Sequence, residues 1–361
     1  MAHARRLKKL LALLESHGLE ALFVTSIPNI RYLTGFTGSS ASCLISSAGC
    51  HFFTDFRYQL QARGEVRGFD VVTVAARELF SRLAARVRGL NLTQLGFEPA
   101  SLSYESYREL KRALSGVCRL CPSGAMVERL RMVKGTEEVS LIRRLARMTD
   151  DILSSCLVEI RAGMTEREVE TRLECSARKA GADELAFRPI VASGSRAAMP
   201  HYRSGRGRLI RGEPLLIDFG IEGGGYNSDL TRTFQLGKLT KQYREIYGAV
   251  LEAQRLALKA IRPGAAASSV DACARGYIAS RGFGRYFGHG LGHGLGIEVH
   301  EAPRLNRESR DTLEAGMVCT VEPGIYVPGW GGVRIEDMVL VEAGGCRVLT
   351  SSAKGIEESV L

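Results

Sequence analysis

The sequence predicts an α/β (α+β) protein with two domains, a small α/β domain over residues 1–128 and a larger domain over residues 129–361. The length of 361 residues exceeds what one hydrophobic core usually contains. Helical periodicity alternates with short apolar runs in the first part of the chain. In the second part, long amphipathic helices are separated by strands that contain many glycines, which predicts a mostly antiparallel sheet covered by helices.

In the first domain the predicted elements follow one another closely. An amphipathic helix near residues 4–17 ends at Gly18, and an apolar run over residues 21–24 is typical of a buried strand. Pro28 and Asn29 are expected to break the chain after that strand. The remaining predicted elements are strands over 43–45 and 50–54 and helices near 56–65, 77–88 and 103–115.

Residues 117–135 are predicted to connect the domains, because they contain proline, glycine and a run of basic residues. Thr136 then caps a long helix with two glutamates in its first turn, where the helix dipole favours negative charge. Thr165 and Glu168 form a capping box for the next helix. Two further helices are expected to start at Thr240 and at Ser268 or Ser269.

Composition excludes several classes of function. The net charge is +10, but basic residues are dispersed among acids, so no nucleic-acid partner is predicted. One basic cluster is either a solvated loop or attracts a substrate carboxylate; it consists of Arg203, Arg206, Arg208 and Arg211. No apolar stretch is long enough to span a membrane, and the N-terminus lacks a signal-peptide cleavage site, so a cytoplasmic location is expected.

The nine cysteines are scattered, and Cys118 and Cys121 form the only close pair. A lone CxxC is compatible with a redox or zinc site. Without a second pair at zinc-binding spacing, two idle thiols in a loop between the domains are the preferred interpretation.

Two aspartates lie on adjacent predicted strands around a glycine turn. Asp218 interrupts an apolar strand, and Asp229 lies in the strand that follows Gly223-Gly224-Gly225. If the turn is centred between Gly223 and Gly224, Asp218 stands opposite Asp229 on one face of the hairpin. Two buried carboxylates so close together repel each other, and a metal cation relieves that repulsion.

The same pattern recurs near the C-terminus. Glu322 and Glu336 each lie in an apolar predicted strand, and a glycine-rich turn around Gly329 separates the strands. Because Gly329 is their midpoint, the two glutamates can also face each other across a hairpin. The recurrence of facing acids on two hairpins favours a functional cluster over a surface accident.

A glycine-rich segment contains three of the seven histidines, His289, His293 and His300. Each glycine costs about 1 kcal/mol in a helix, so an extended, closely packed segment is predicted, with His289 and His293 on one side. A fourth histidine, His201, lies in a loop after Pro200.

These motifs resemble those of the M24 metallopeptidases, the pita-bread-fold family of methionine aminopeptidase, aminopeptidase P and prolidase. The similarity covers about residues 129–361 and rests on IDFG, NSDLTRTF, HGLGHGLGIEVHE, TVEPGIY and GVRIED. NIRYLTGFTGSSA and FFTDFRY are similar to the creatinase-like N-terminal domain of aminopeptidase P and prolidase, which methionine aminopeptidases lack. The resemblance therefore implies a curved pita-bread sheet in the second domain and membership of the proline-specific branch.

The resemblance also implies two divalent metal ions. Asp218 would bind one ion, His293 and Glu322 the other, and Asp229 and Glu336 would bridge them. Oxygen ligands with one imidazole suit Mn²⁺, the expected ion, and also Co²⁺ or Zn²⁺. Two such ions lower the pKa of a shared water and give a hydroxide nucleophile near neutral pH.

The other site residues follow from the same resemblance. Glu322 would pass a proton to the leaving nitrogen, and the non-ligand histidines would hydrogen-bond substrate carbonyls or the developing oxyanion. These histidines are His201, His289 and His300. Arg334 shares a strand face with a ligand glutamate and is expected to hold a ligand carboxylate.

The implied activity is that of an Xaa-Pro aminopeptidase, with Xaa-Pro dipeptidase (prolidase) as the near alternative and a non-catalytic binding protein as the remote one. The substrate is a peptide with proline at the second position. Arg304 matches an arginine that binds the C-terminal carboxylate in microbial prolidases, but a surface arginine after a turn is an equal interpretation. Relatives are usually dimers, so a homodimer is expected.

Overall fold

The computed structural model describes residues 2–361, which form two compact units, one ending at Arg131 and the other running from Met132 to Leu361. The strands of the first unit are β1 (Ala21–Val24), β2 (Ala41–Ser46), β3 (Gly49–Thr54), β4 (Asp70–Thr73), β5 (Gln94–Phe97) and β6 (Arg119–Pro122). They form one six-stranded mixed sheet in the order β4-β3-β2-β1-β5-β6. The helices that begin in this unit are α1 (Ala2–Ser16), α2 (Ile27–Thr34), α3 (Gln59–Glu65), α4 (Leu79–Gly89), α5 (Tyr104–Ala113) and α6 (Met126–Met132).

Two local predictions for the first unit are wrong. Pro28 does not break the chain, because it lies in the first turn of α2, where a helix tolerates a missing N–H. Gly35 ends this helix with φ of 80°. The predicted connection over 117–135 contains β6 and α6, so Cys121 lies in a strand paired with β5 and not in a loop.

The second unit contains longer helices and many short strands. Its helices are α7 (Thr136–Leu157), α8 (Glu166–Ala180), α9 (Lys241–Ala260) and α10 (Ala267–Ser280). Its strands are β7 (Glu184–Leu185), β8 (Ile190–Ser193), β9 (Pro214–Phe219), β10 (Ile221–Gly223), β11 (Tyr226–Asn227), β12 (Leu230–Gln235), β13 (Gly292–Gly294), β14 (Glu301–Leu305), β15 (Val318–Val321), β16 (Gly324–Val327), β17 (Gly331–Arg334), β18 (Asp337–Glu342) and β19 (Gly345–Val348). Their pairings are antiparallel, which together with the mixed sheet of the first unit confirms the predicted fold class.

Helix starts in the second unit follow capping chemistry. The predicted capping box is confirmed, since Thr165 Oγ1 accepts from the Glu168 N–H at 3.2 Å and the Glu168 carboxylate accepts from the Thr165 N–H at 2.6 Å. Thr240 caps α9 as predicted. The N-cap of α7 is Gly135 instead of Thr136. The N-cap of α10 is Ala266, two or three residues before the predicted Ser268 or Ser269.

Two sheets of this unit position the candidate site. Their strand orders are β12-β9-β8 and β14-β13-β15-β18-β19. The sheets meet where the Glu336 N–H donates to the Thr231 carbonyl at 3.1 Å, so β8 and β14 are the edges away from this junction. Side chains of α7 and α8 share a core with β9, and those of α9 and α10 share another with β15 and β18. Within residues 2–361, no helix is long and apolar enough to cross a membrane.

Candidate metal centre and substrate cavity

The two aspartates lie on a hairpin whose register differs from the predicted one. Gly224 and Gly225 form the turn with φ of 58° and 80°, values that favour glycine and a tight hairpin. The turn is one residue later than predicted, so Asp218 stands opposite Thr231 and not opposite Asp229. The residue opposite Asp218 changes by two positions, and side chains two positions apart on a strand share a face, so Asp229 stays on the same face as Asp218. Both aspartates line one cavity.

The two glutamates lie where two hairpin ladders meet, and their predicted register is confirmed. The β15–β18 and β16–β17 ladders continue in one register, and Glu322 and Glu336 occupy the facing positions between them. Each predicted strand is nevertheless interrupted at its glutamate. On one side the interruption has a local cause, because Pro323 follows Glu322 and cannot donate a ladder hydrogen bond.

His293 is the central residue of β13, and the predicted extended conformation is found there. A Cβ atom at Gly292 would lie 2.1 Å from the Thr320 carbonyl oxygen, and one at Gly294 would lie 2.1 Å from that of Ala302. Only glycine permits this approach, so the flanking glycines allow β14 and β15 to pack against β13 on both sides of the histidine.

The five predicted metal ligands line one cavity of about 630 Å³. Ligand atoms of Asp229, His293 and Glu336 all lie within 4.8 Å of one another. The His293 Nε2 atom is 3.2 Å from Glu322 Oε1 and 3.7 Å from Asp229 Oδ2. The fifth residue, Asp218, is buried beside them on β9.

Repulsion within this cluster shifts the carboxyl pKa values. Burial raises the pKa of Asp229 and Glu336 well above the usual range, and the neighbouring carboxylates raise it further. Burial also acts on Glu322, but the hydrogen bond and charge of His293 outweigh it and lower the pKa of this group. The cluster therefore favours any additional positive charge.

Arg334 connects several members of the cluster. It donates from Nη2 to Asp218 Oδ2, from Nε to Thr231 Oγ1 at 3.0 Å and from Nη1 to Tyr326 Oη at 2.9 Å. Thr231 Oγ1 in turn donates to Glu336 Oε2 at 2.7 Å. Arg334 thus orients two predicted ligands, Asp218 directly and Glu336 through a threonine.

The second carboxylate oxygen of Asp218 indicates most directly that a cation fits here. Asp218 Oδ1 is buried and has no hydrogen-bond partner among residues 2–361, although Arg334 binds Oδ2. A buried, unpaired carboxylate oxygen is costly, and a coordinated ion supplies the missing contact. Four carboxylates and one imidazole form a donor set that Mn²⁺, Co²⁺ and Zn²⁺ accept, so the residues fit a divalent metal centre.

His289 and His300 line the same cavity in different surroundings. The His289 ring lies between Tyr326 Oη, 2.8 Å from Nε2, and the Gly290 carbonyl, 2.7 Å from Nδ1, and burial lowers its pKa. The His300 and His293 ring centroids are 4.3 Å apart, and desolvation together with the His293 charge lowers the pKa of His300 to about 4. Both lowered pKa values favour neutral rings at neutral pH. The two nitrogens of His289 already face protein oxygens, whereas those of His300 have no hydrogen-bond partner within residues 2–361.

His201 and Arg304 are exposed, line the cavity and both lie near His300. His201 lies in the loop after β8, and Arg304 lies on β14, where its Cα pairs with that of His293. The Arg304 backbone N–H donates to Asp311 at 3.0 Å, but within residues 2–361 no carboxylate pairs with its guanidinium.

Three residues of the site were missed from the sequence: Thr231, Thr320 and Tyr326. Thr320 Oγ1 accepts from the His293 N–H at 3.1 Å and donates to Glu322 Oε1 at 3.1 Å, and Tyr326 contacts both His289 and Arg334. Each lies two or four residues from a predicted ligand, the spacing of side chains on one strand face. That spacing was the available signal.

Comparison with known proteins gives two family matches. The model of metallopeptidase family M24 matches residues 140–343, and that of the creatinase/prolidase N-terminal domain matches residues 6–133. Among curated proteins, the uncharacterized peptidase YqhT of Bacillus subtilis is 41% identical over 97% of this chain and 98% of its own length.

Two solved structures are similar over almost the whole chain. The Xaa-Pro dipeptidase from Bacillus anthracis is 38% identical with a TM-score of 0.94, covering 99% of this chain and 100% of that one. The X-Pro aminopeptidase from Thermotoga maritima is 35% identical with a TM-score of 0.90, covering 98% of this chain and 99% of that one.

Proposed function

This chain belongs to metallopeptidase family M24, and we propose that it is a proline-specific exopeptidase that works with two divalent metal ions. The observation that carries the proposal is the buried cluster of four carboxylates and one imidazole, in which Asp218 Oδ1 lacks a protein partner. The match to the creatinase/prolidase N-terminal domain and the proline-specific names of the similar structures support the substrate class.

The ligand assignment follows the predicted set. Asp218 would hold one ion, His293 and Glu322 the other, and Asp229 and Glu336 both, with Mn²⁺ as the expected metal and Co²⁺ or Zn²⁺ as alternatives. When bound, two such ions polarise the scissile carbonyl and lower the pKa of a water molecule.

The chain's own residues supply proton transfer and hydrogen bonds. Glu322 accepts a proton in the cavity and passes it to the proline nitrogen, which must be protonated to leave. His201 and His300 line the cavity and donate hydrogen bonds to substrate carbonyl oxygens. His289, predicted for the same task, has both ring nitrogens at protein oxygens, so it reaches the substrate only when its contact with Tyr326 opens. Donors of this kind contribute about 10²-fold in rate each when well placed.

Arg304 distinguishes the two activities of this class. An Xaa-Pro aminopeptidase, predicted from the sequence, releases the first residue of a longer peptide, whereas an Xaa-Pro dipeptidase must also bind the carboxylate directly after proline. The Arg304 guanidinium lines the cavity without a carboxylate partner within residues 2–361, which is the arrangement that a dipeptidase requires. The unpaired Arg304 guanidinium therefore supports the Xaa-Pro dipeptidase, which is the second candidate activity beside the aminopeptidase.

The test compares hydrolysis of Leu-Pro and Leu-Pro-Leu by protein loaded in turn with Mn²⁺, Co²⁺ and Zn²⁺. Hydrolysis of either peptide, with up to two ions bound per chain, supports the proposal. A preference for Leu-Pro that disappears in Arg304→Ala identifies a dipeptidase, and a preference for Leu-Pro-Leu identifies an aminopeptidase. Full activity in metal-free Asp229→Ala would contradict the metal-dependent mechanism.

We further propose a cytoplasmic homodimer without a nucleic-acid partner, as expected from the sequence. Light scattering of the purified chain tests the dimer. Salt-dependent binding to nucleic acid in the absence of peptidase activity would favour a non-catalytic binding protein instead.

A further inference from the structure

We propose that Arg203 binds a second substrate carboxylate, so that the enzyme prefers peptides with glutamate or aspartate before proline. This inference rests on the proposed function and adds to it the chemical identity of the first residue. Its basis is the charge of the cavity wall, the position of Arg203 on that wall and the anchoring of its loop.

Apart from the four acidic metal-ligand candidates, the charged side chains that line the cavity are basic: Arg188, Arg203, Arg304 and Arg334. Two of them are already paired, Arg188 with Glu170 at 2.7 Å and Arg334 with Asp218. Arg203 and Arg304 are exposed and form no ion pair with any residue in 2–361. Two guanidinium groups are therefore available to bind anionic groups of a substrate.

These two arginines reach the cavity from different elements of the fold. Arg203 belongs to the loop after β8, and Arg304 lies on β14. The ligand candidates line the same cavity, on or next to β9, β12, β13, β15 and β18. A substrate bound at the cluster therefore meets two separate guanidinium groups on the cavity wall.

Arg203 lies between two anchored residues. Tyr202 Oη donates to Glu166 Oε2 at 2.8 Å, and Ser204 Oγ accepts from the Val191 N–H at 2.9 Å. The arginine therefore extends from a fixed stretch of backbone and does not sit on a loose solvated arm.

The carboxylate of Glu166 holds this loop at several points. Glu166 is fully buried and also accepts from the Ser193 N–H at 2.9 Å, Arg196 Nε at 2.6 Å and the Gly205 N–H at 3.2 Å. Tyr202, which is bonded to Glu166, and its two neighbours His201 and Arg203 all line the cavity. The loop therefore presents one neutral donor and one cation to the substrate.

The two unpaired arginines define the substrate. If Arg304 binds the carboxylate of a C-terminal proline, the only other carboxylate that an Xaa-Pro dipeptide can carry is in the side chain of its first residue, and Arg203 is the second unpaired guanidinium of the cavity wall within residues 2–361. A guanidinium binds a carboxylate with two parallel, charge-assisted hydrogen bonds. Glu-Pro and Asp-Pro carry both carboxylates, whereas Gln-Pro and Asn-Pro lack the one in the first residue.

The experiment compares kcat/KM for Glu-Pro and Gln-Pro, which are nearly isosteric, with the full-length, metal-loaded protein. We expect a preference of about tenfold for Glu-Pro, as for one charge-assisted hydrogen bond. Arg203→Ala should reduce the ratio to about one. Arg206→Ala is the matched control, because Arg206 is an exposed arginine of the same loop that does not line the cavity, and it should keep the ratio of the unmodified protein.

The ratio within each variant cancels differences in folding or metal content, and each outcome decides the question. Equal rates for the two peptides in the unmodified protein, or an unchanged preference in Arg203→Ala, overturn the role of Arg203 and leave the proposed function intact. No hydrolysis of any Xaa-Pro peptide by the metal-loaded protein overturns both. A switch in Arg203→Glu from Glu-Pro toward Lys-Pro would support the assignment further.

Discussion

Glu336 and Asp337 are consecutive buried carboxylates with opposite surroundings. Asp337 accepts hydrogen bonds from Arg232 Nη2 at 2.7 Å, Thr350 Oγ1 at 2.8 Å and Lys354 Nζ. Burial raises its pKa, but the two cations outweigh this and the pKa is lowered overall. The pKa of Glu336 is instead raised well above its usual range, first by burial and then by other carboxylates.

The difference distinguishes a structural acid, Asp337, from a proposed metal ligand, Glu336. The chain supplies Asp337 with its own cations, so this carboxylate is satisfied by folding alone. Glu336 faces other acids and receives a single hydroxyl donor, Thr231. A buried acid surrounded by acids is satisfied only when a cation comes from outside the chain.

The largest expected effect is that of Glu336→Gln. In the proposed assignment Glu336 is shared by two ions, so its loss should reduce the metal content and lower kcat/KM for an Xaa-Pro peptide by about 10³-fold, equivalent to several kcal/mol of transition-state stabilisation. The metal-free variant should unfold at the same urea concentration as the metal-free unmodified protein, or at a higher one, because one repelling charge is gone. Elemental analysis and urea titration test this, and full metal content in the variant would contradict the ligand assignment.

Asp337→Asn is the matched change at the neighbouring position. It leaves the buried Arg232 and the half-buried Lys354 beside a neutral amide, and breaking a buried ion pair such as Arg232–Asp337 costs about 3–5 kcal/mol of unfolding free energy. The loss should be the same with and without metal. If only the metal-loaded protein is destabilised, Asp337 acts through the metal centre and the contrast between the two acids fails.

Metal removal tests the same difference between Glu336 and Asp337. A chelator should lower the unfolding free energy of the unmodified protein by about 2.7 kcal/mol for each site that was held at one hundred times its Kd. Asp337→Asn should show the same difference between its metal-loaded and metal-free forms, whereas Glu336→Gln should show little. Thermal unfolding at fixed metal concentrations measures this, and an equal chelator effect in all three proteins would place the ions elsewhere.

The smallest effect is expected for Tyr326→Phe. This change removes the hydroxyl that contacts His289 and Arg334 but leaves every predicted ligand in place. The loss of two hydrogen bonds worth about 1 kcal/mol each should lower kcat/KM by up to roughly thirtyfold. Metal content should stay unchanged, and a loss of bound metal would assign Tyr326 a structural role in the centre.

Local sequence patterns predicted much of the architecture. The capping box of α8, the N-cap of α9 and the register around Gly329 depend on residues close in sequence, and each is found in the structure. The predicted position of the glycine turn was wrong by one residue, because three consecutive glycines permit more than one tight turn. The pairing of β10 with both β7 and β11 is compatible with only one of these turns.

The sequence by itself determined which residues are candidates for chemistry, since carboxylates in apolar strands and histidines among glycines are conspicuous in local pattern. It could not determine their partners. Whether a buried acid meets a cation or another acid depends on side chains about a hundred positions away, as with Arg232 beside Asp337 and Thr231 beside Glu336. Which arginine of the basic cluster lines the cavity was likewise decided by tertiary structure, because the buried carboxylate of Glu166 holds that loop in place.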